Sequence, residues 1–350
     1  MKNQFGYHTD NINDYCGNAT IEYRDLYEVT QLLPQLFKIL TWNVWGMNKR
    51  RAVGERYLLI MQLMILRMEE IVKCIMKEDP DVIILQEMSH ESIGILVGIM
   101  RRYGIATKYK RYGHHFETFT PNDLENSIGR DLDNYVLTKY IPKQITQFQL
   151  SGNLGYTSGI TCVDFDDVCV VGCYLQAGSK HSVGQESVSH HYSRCRLEQL
   201  EAIGKIIDQE CKNKSVILCG DFNMNLDGSI DEWPEVEGIN KLNMQDTWKI
   251  VNPKDPGFTE DTFINHMRWN MKFMEKRYRY DGMFLKSDTI VLLPVDAKMV
   301  GTESCAMDDD MFDDFMRLLS NKSVIDNVQP RSKTYHPSDH FGVMTTFTRS

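Results

Sequence analysis

The chain has 350 residues, 42% of them hydrophobic, which suits one large domain or two ordinary ones with a sizeable core. A net charge of −9 and a pI of about 5.6 exclude a generally basic nucleic-acid binder, so such a role needs a local basic face on an acidic background. No apolar stretch is long enough to cross a bilayer, and the polar start Met1–Asn13 lacks a signal-peptide core, so an intracellular place, nucleus or cytoplasm, is expected.

Met1 to Pro34 is polar and weakly patterned and reads as an extension before a domain spanning residues 35–350. Leu36–Trp42 reads as a strand ending in a Trp-Asn turn. Tyr57–Lys77 has apolar residues at helical spacing, with Arg67, Glu69, Glu70, Lys73 and Lys77 marking a solvent face. Asp79-Pro80-Asp81 stops that helix. Val82–Leu85 is a short apolar run, a buried strand ending at Gln86-Glu87. After a helix over Ser92–Tyr103, Asn134–Tyr140, Ile145–Leu150, Gly159–Phe165 and Val168–Leu175 read as strands of antiparallel meanders. Tyr192–Cys211 is a second long helix, with Leu200, Ile203 and Ile207 on one stripe. Ser215–Cys219 is a buried strand ending at Gly220-Asp221. Arg279–Leu285 and Phe341–Phe347 are late strands, and Asp308–Asn321 is a short helix in an insertion. This order predicts an α/β (α+β) sandwich, two packed sheets flanked by helices. The nine cysteines are scattered, without a CxxC pair or Cys/His zinc spacing, and read as reduced core thiols.

Four segments carry the chemistry: Thr41–Gly46 (TWNVWG), Leu85-Gln86-Glu87, Gly220-Asp221-Phe222-Asn223 and Ser338-Asp339-His340. Each places a carboxylate, amide or imidazole after an apolar run or in a polar turn, where ligands of layered α/β folds bind. Carboxylates and amides with a histidine suit a hard cation and a phosphate ester. Glu87 can hold the cation, Asn43 can offer its amide oxygen to the ion or its waters, and Asp339 can reach it. Asp221 can accept a proton from an attacking water, Asn223 can orient that water or the phosphate, and His340 can donate to a phosphoryl oxygen. A buried carboxylate behind His340, with Asp281 the candidate, would fix its tautomer. Singly these are a solvated strand end, a polar turn and a core histidine; their ordered combination points to function.

Together with Arg279-Tyr280-Asp281, these segments resemble the endonuclease/exonuclease/phosphatase superfamily over about Leu36–Thr348. The resemblance implies a four-layer sandwich of mixed or antiparallel sheets and Mg²⁺- or Mn²⁺-dependent cleavage of phosphate esters. It implies that Glu87 and Asn43 serve the metal and that Asp221, Asn223 and His340 serve the chemistry, with Asp281 behind His340. Thr41-Trp42-Asn43, the stretch Arg196–Leu200 and Pro337–Gly342 look like the tyrosyl-DNA phosphodiesterase branch. There Arg196 would pair with a substrate phosphate, the plain alternative being an exposed helix arginine, and Phe263 would line the nucleic-acid groove or fill core. Cys173–Gly178 departs from that branch: Tyr174 followed by Ala177-Gly178 resembles abasic-site endonucleases, whose tyrosine contacts the cleaved phosphate. Met88-Ser89, where those enzymes carry Thr-Lys, argues the other way.

Two stretches, Arg268–Arg279 and Lys108–Tyr112, interleave cations with aromatics and offer nucleic-acid surface, or solvated edge strands. The acidic run Asp308–Asp314 reads as a solvated helix face, and His114-His115 and His190-His191 as surface histidines. The expected activity is a Mg²⁺-dependent phosphodiesterase at nucleic-acid ends, removing a 5′-tyrosyl-type adduct to leave a 5′-phosphate. An abasic-site endonuclease or exonuclease, or another phosphate-ester hydrolase, is the alternative. An inactive scaffold is disfavoured because Asn43, Glu87, Asp221, Asn223, Asp281 and His340 are all present.

Overall fold

The computed structural model describes residues 19–27, 30–46, 54–112, 133–150, 158–178, 186–288, 290–320 and 329–349. In chain order the strands are β1 (Ala19–Leu26), β2 (Leu36–Asn43), β3 (Val82–Met88), β4 (Lys110–Tyr112), β5 (Asp133–Thr138), β6 (Gln144–Leu150), β7 (Ser158–Asp164), β8 (Val168–Tyr174), β9 (Ser215–Asp221), β10 (Gln245–Asp246), β11 (Glu260–Asp261), β12 (Arg277–Tyr278), β13 (Asp281–Lys286), β14 (Leu292–Val300), β15 (Cys305–Ala306), β16 (Thr334–Tyr335) and β17 (Gly342–Arg349). One sheet has the order β1-β6-β7-β8-β9-β13-β10 and the other β14-β17-β2-β3-β5-β4. Each is antiparallel except for one parallel pair, β8 with β9 in the first and β2 with β3 in the second.

Side chains alternate across these strands, and both faces are covered. From β2, Phe37 and Ile39 point into the space between the sheets, while Leu40 and Trp42 pack outward. From β9, Ile217 and Cys219 point inward, and Val216 and Leu218 outward. The helices Glu55–Glu78 and His90–Arg102 cover the second sheet; Glu186–Glu210 and Glu235–Lys241 cover the first. The result is helix, sheet, sheet, helix, the expected four layers. The sheets approach so closely at Gly172 that an added Cβ would sit 2.6 Å from Ile84. Phe37 stacks on Phe347 in the same core, their centroids 5.5 Å apart.

Three readings change. Ala19–Leu26, within the segment expected to precede the domain, pairs antiparallel with β6 along its length. The strand Leu292–Val300 went unrecognised because it is an edge strand with Pro294 beside a register shift, and solvent-facing residues interrupt its apolar pattern. Arg67, expected on the solvent face of its helix, is fully buried. The short helix of the insertion spans Asp309–Leu318 and packs Phe312 and Phe315 with Leu59, Ile60 and Leu63. His114-His115 lie outside the described residues.

Candidate active site

The rim where the parallel strands end gathers the polar motifs. Tyr174 at the end of β8 is in register with Asp221 at the end of β9, which is in register with Asp281 at the start of β13. In the facing sheet Asn43 is in register with Gln86, and His340 lies just before β17. The backbone here is unlike that of the strands behind it. The register shifts between Leu85 and Met88, and Glu87 has φ 59°. Trp45 and Asn223 have φ 51° each. Non-glycine residues rarely enter this region, and their concentration at a rim suits a functional site. Gly220, at φ 152°, passes so near Cys173 that a Cβ would lie 1.9 Å from its carbonyl oxygen.

Asn43 joins the two sheets. Its Nδ2 donates to Glu87 Oε1 at 3.1 Å and to Asp221 Oδ2 at 2.8 Å. Its Oδ1 accepts from the Trp45 amide at 2.9 Å, so the oxygen expected to face a cation already has one backbone partner. Glu87 also accepts from Tyr174 Oη at 3.0 Å and from the Gly46 amide at 3.1 Å. The Asn223 amide donates to Asp221 Oδ1 at 2.8 Å, and its side chain donates to the Leu175 carbonyl at 3.0 Å. His340 Nδ1 lies 2.7 Å from Asp281 Oδ2, and the Trp42 indole donates to the His340 carbonyl at 2.9 Å. One ligand atom each of Asp221, Asp281 and His340 falls within 4.8 Å of the others. Asp281 and Asp221 are fully buried, while Glu87 and Asn223 are partly open to solvent.

Burial raises the Asp221 carboxyl to about 8, and the Asp281 charge adds to the rise; His340 and the Asn43 amide oppose it. Burial pulls His340 down, but Asp281, through its charge and hydrogen bond, overrides this and holds the imidazole well above its ordinary value. Burial also raises Glu87, helped by repulsion from Asp339. Two mutually repelling carboxylates beside an amide are a donor set that a hard divalent cation would stabilise. The buried Asp281 Oδ1, without a hydrogen-bond partner, is a further acceptor in need of a positive neighbour. The residues present therefore fit a divalent cation.

A ring of cations supports this acidic cluster. Arg268 Nε donates to Glu260 at 2.7 Å, and its Nη1 lies 3.4 Å from Asp339. Arg67 donates to the carbonyls of Val44, Trp45 and Pro337, so one buried guanidinium ties the loop after β2 to the turn before His340. Burial lowers its pKa to about 10 against the raising effect of Asp339 and Glu87. Sequence reasoning missed both arginines in these roles. Arg268 stood only in a basic stretch, and helical periodicity cannot show that Arg67 reaches carbonyls far along the chain.

The structure does not bring every expected residue into the site. Arg196 is neither exposed nor directed at a substrate. It is buried against Glu235 at 2.6 Å and donates to the Gln176 and Gly178 carbonyls at 3.0 and 2.8 Å, which corrects its expected role to a structural one. Phe263 is 48% exposed and therefore not core. The guanidiniums of Arg277 and Arg331 lie beside its ring, 5.1 and 4.9 Å from its centroid. Its loop is tied to the site by Asn265, which donates to the Ser338 carbonyl at 2.8 Å. Arg279, from the same basic stretch, is buried against Asp227 and Asp246 and offers no surface.

Two mixed sheets whose rim gathers acid, amide and imidazole define a class of phosphate-ester hydrolase folds. The family model described as Endonuclease/Exonuclease/phosphatase family matches residues 40–271, and the chain belongs to that family. Among curated proteins, Tyrosyl-DNA phosphodiesterase 2 of Rattus norvegicus is 23% identical over 274 residues, 75% of this chain; the chain spans 61% of that relative's length. Among solved structures, D. rerio TDP2 complexed with single-strand DNA product aligns with a TM-score of 0.53 at 14% identity, over 90% of this chain and 100% of that one. TDP2 from C. elegans gives 0.55 at 16% identity, over 89% of this chain and 75% of that one. The similarity to the tyrosyl-DNA phosphodiesterase branch expected from the motifs is thus found again. Among the described residues no helix is long and apolar enough to cross a membrane.

Proposed function

We propose that the protein is a Mg²⁺-dependent phosphodiesterase that acts on nucleic-acid ends and removes a 5′-linked tyrosyl or similar adduct, leaving a 5′-phosphate. The observation that carries this reading is the meeting of Asn43, Glu87, Tyr174 and Asp221 in one hydrogen-bonded group beside the His340–Asp281 pair. The relative named a tyrosyl-DNA phosphodiesterase supports the substrate class. A bound cation would neutralise the phosphate oxygens whose charge repels an incoming nucleophile. Glu87, Asp339 and Asn43 would hold it.

The chain's own groups then divide the work. Burial and Asp281 raise the Asp221 carboxyl to about 8, so Asp221 would accept the water's proton once a bound cation and His340 favour its ionised form. Asn223, whose side chain donates to the Leu175 carbonyl, would orient that water or the phosphate. His340, kept cationic by Asp281, donates from Nε2 to a phosphoryl oxygen as negative charge develops there. A phenolic leaving group, with a pKa of about 10, departs with little help. A sugar hydroxyl is poorer and needs a proton donor. Tyr174, whose hydroxyl donates to Glu87 at 3.0 Å, favours a second reading as an abasic-site endonuclease.

The test compares kcat/KM with Mg²⁺ on 5′-tyrosyl DNA, abasic duplex, plain single-stranded DNA, RNA and an inositol phosphate. The 5′-tyrosyl DNA should be best, EDTA should abolish turnover and Mg²⁺ should restore it. Preference for abasic duplex would establish the second reading. Failure to cleave any phosphate ester, or activity undiminished by EDTA, would refute both.

A further inference from the structure

The far end of the first sheet carries a second cluster that the catalytic reading does not use. Cys162 on β7 and Cys169 on β8 lie on the same outer face of the hairpin, and Cys211 follows directly on the helix Glu186–Glu210. Three separate elements thus bring three buried thiols together, with one sulfur from each inside a 4.8 Å sphere of separations. Cys211 Sγ lies 2.7 Å from Cys169 Sγ, across 42 residues of chain. The spacing in sequence hides this cluster, since none of the three is near another in any zinc-binding pattern.

Beside the thiols is a cavity of about 270 Å³ whose lining includes Cys162, Cys169, Lys143, Lys214, Asp164 and Glu210. Lys214 is paired with Asp164 there. We propose that Cys162, Cys169 and Cys211 form a structural site for a soft metal ion of the zinc class, with the fourth position facing this cavity. Zinc takes thiolates at about 2.3 Å, which puts sulfurs roughly 3.8 Å apart in a tetrahedral site. Here Cys169 and Cys211 stand 2.7 Å apart and no pair is separated by more than 4.8 Å, so that one pair would open by about 1 Å around an ion. Three thiolates leave a zinc site with one negative charge, beside a cavity where Lys214 is paired with Asp164 and Lys143 with Asp166. A disulfide between Cys169 and Cys211 would use two of the three sulfurs and leave Cys162 idle.

The site is a clamp and not part of catalysis. Along β8, Tyr174 is five residues from Cys169, roughly 17 Å of extended chain. A bound ion would fasten the end of the long helix to the β7–β8 hairpin. The proposal does not depend on the phosphodiesterase reading.

The test uses the reduced full chain with Co²⁺ as probe. Co²⁺ should give a thiolate-to-metal charge-transfer band that saturates at one equivalent and disappears on adding Zn²⁺. Oxygen ligands at the phosphodiesterase site give no such band, so the signal reports the thiols alone. Cys162→Ser and Cys211→Ser should each lose the band, and Zn²⁺ should raise the melting temperature of the wild-type chain more than that of either variant. If a variant does not fold, the wild-type spectrum and its Zn²⁺ displacement still decide. Absence of a thiolate band in the reduced wild type, or a band kept in full by both variants, would overturn the proposal. So would a Cys169–Cys211 disulfide in chain alkylated at lysis.

Discussion

The space between the sheets and the rim at their ends are built from the same strands by opposite rules. In β9, Ile217 and Cys219 lie in an apolar layer with Val170, Met283 and Phe347. Two residues further on, Asp221 is equally buried yet faces Asp281, and the chain turns through a left-handed Asn223. In β3, Ile84 is core, and Glu87 is strained, partly open and beside another carboxylate. The layer between the sheets stabilises the fold; the rim holds like charges and strained backbone that the fold must offset. Substitutions in the two regions should therefore separate activity from stability.

The largest effect belongs to the rim. Asp221→Asn keeps the shape of the side chain and removes the proton acceptor, so kcat/KM should fall about 10³-fold or more, ~4 kcal/mol of barrier, while the melting temperature holds or rises. Equal losses of activity and stability would blur the contrast. Phe347→Ala is its mirror image. It removes a fully buried ring stacked on Phe37 and should cost about 3–5 kcal/mol in urea unfolding, with kcat/KM of the folded fraction unchanged.

How far sequence reading reaches follows the same division. Val82–Leu85 and Ser215–Cys219 were legible because strands buried on both faces leave continuous apolar runs. Asp281 was legible as a partner for His340 because an imidazole held cationic needs a buried carboxylate. Contacts set only by tertiary packing were not. The ion pair of Arg196 with Glu235 spans 39 residues, and the bond from Arg67 to Pro337 spans 270. An arginine at a helical surface position looks identical in sequence whether it meets water or distant carbonyls. The edge strand Leu292–Val300 and the three gathered thiols were hidden for the same reason.

A third effect sharpens the contrast at the border of the two regions. Burial pushes Glu260 up, but Arg268 and Lys276 override it and hold the carboxyl at about 2, against an ordinary 4.5. The folded pKa is depressed, so this stabilisation is complete above pH 4.5 and is lost as pH falls toward 2. It amounts to about 3 kcal/mol. The gap in unfolding free energy between wild type and Glu260→Gln should shrink across that window; a gap independent of pH would remove Glu260 from the account. The smallest effect is expected at the exposed flank. Phe263→Ala should raise KM for single-stranded substrate roughly tenfold through lost base stacking, with kcat and melting temperature nearly unchanged.

The account stands on one claim, that the rim forms a single cation-dependent centre. An anomalous-difference map from crystals soaked in Mn²⁺ measures it most directly. The predicted result is a peak within bonding distance of Glu87, on the side facing Asp221 and His340, and its loss in Glu87→Gln. A map with no peak at Glu87, or with Mn²⁺ bound only elsewhere, would contradict it.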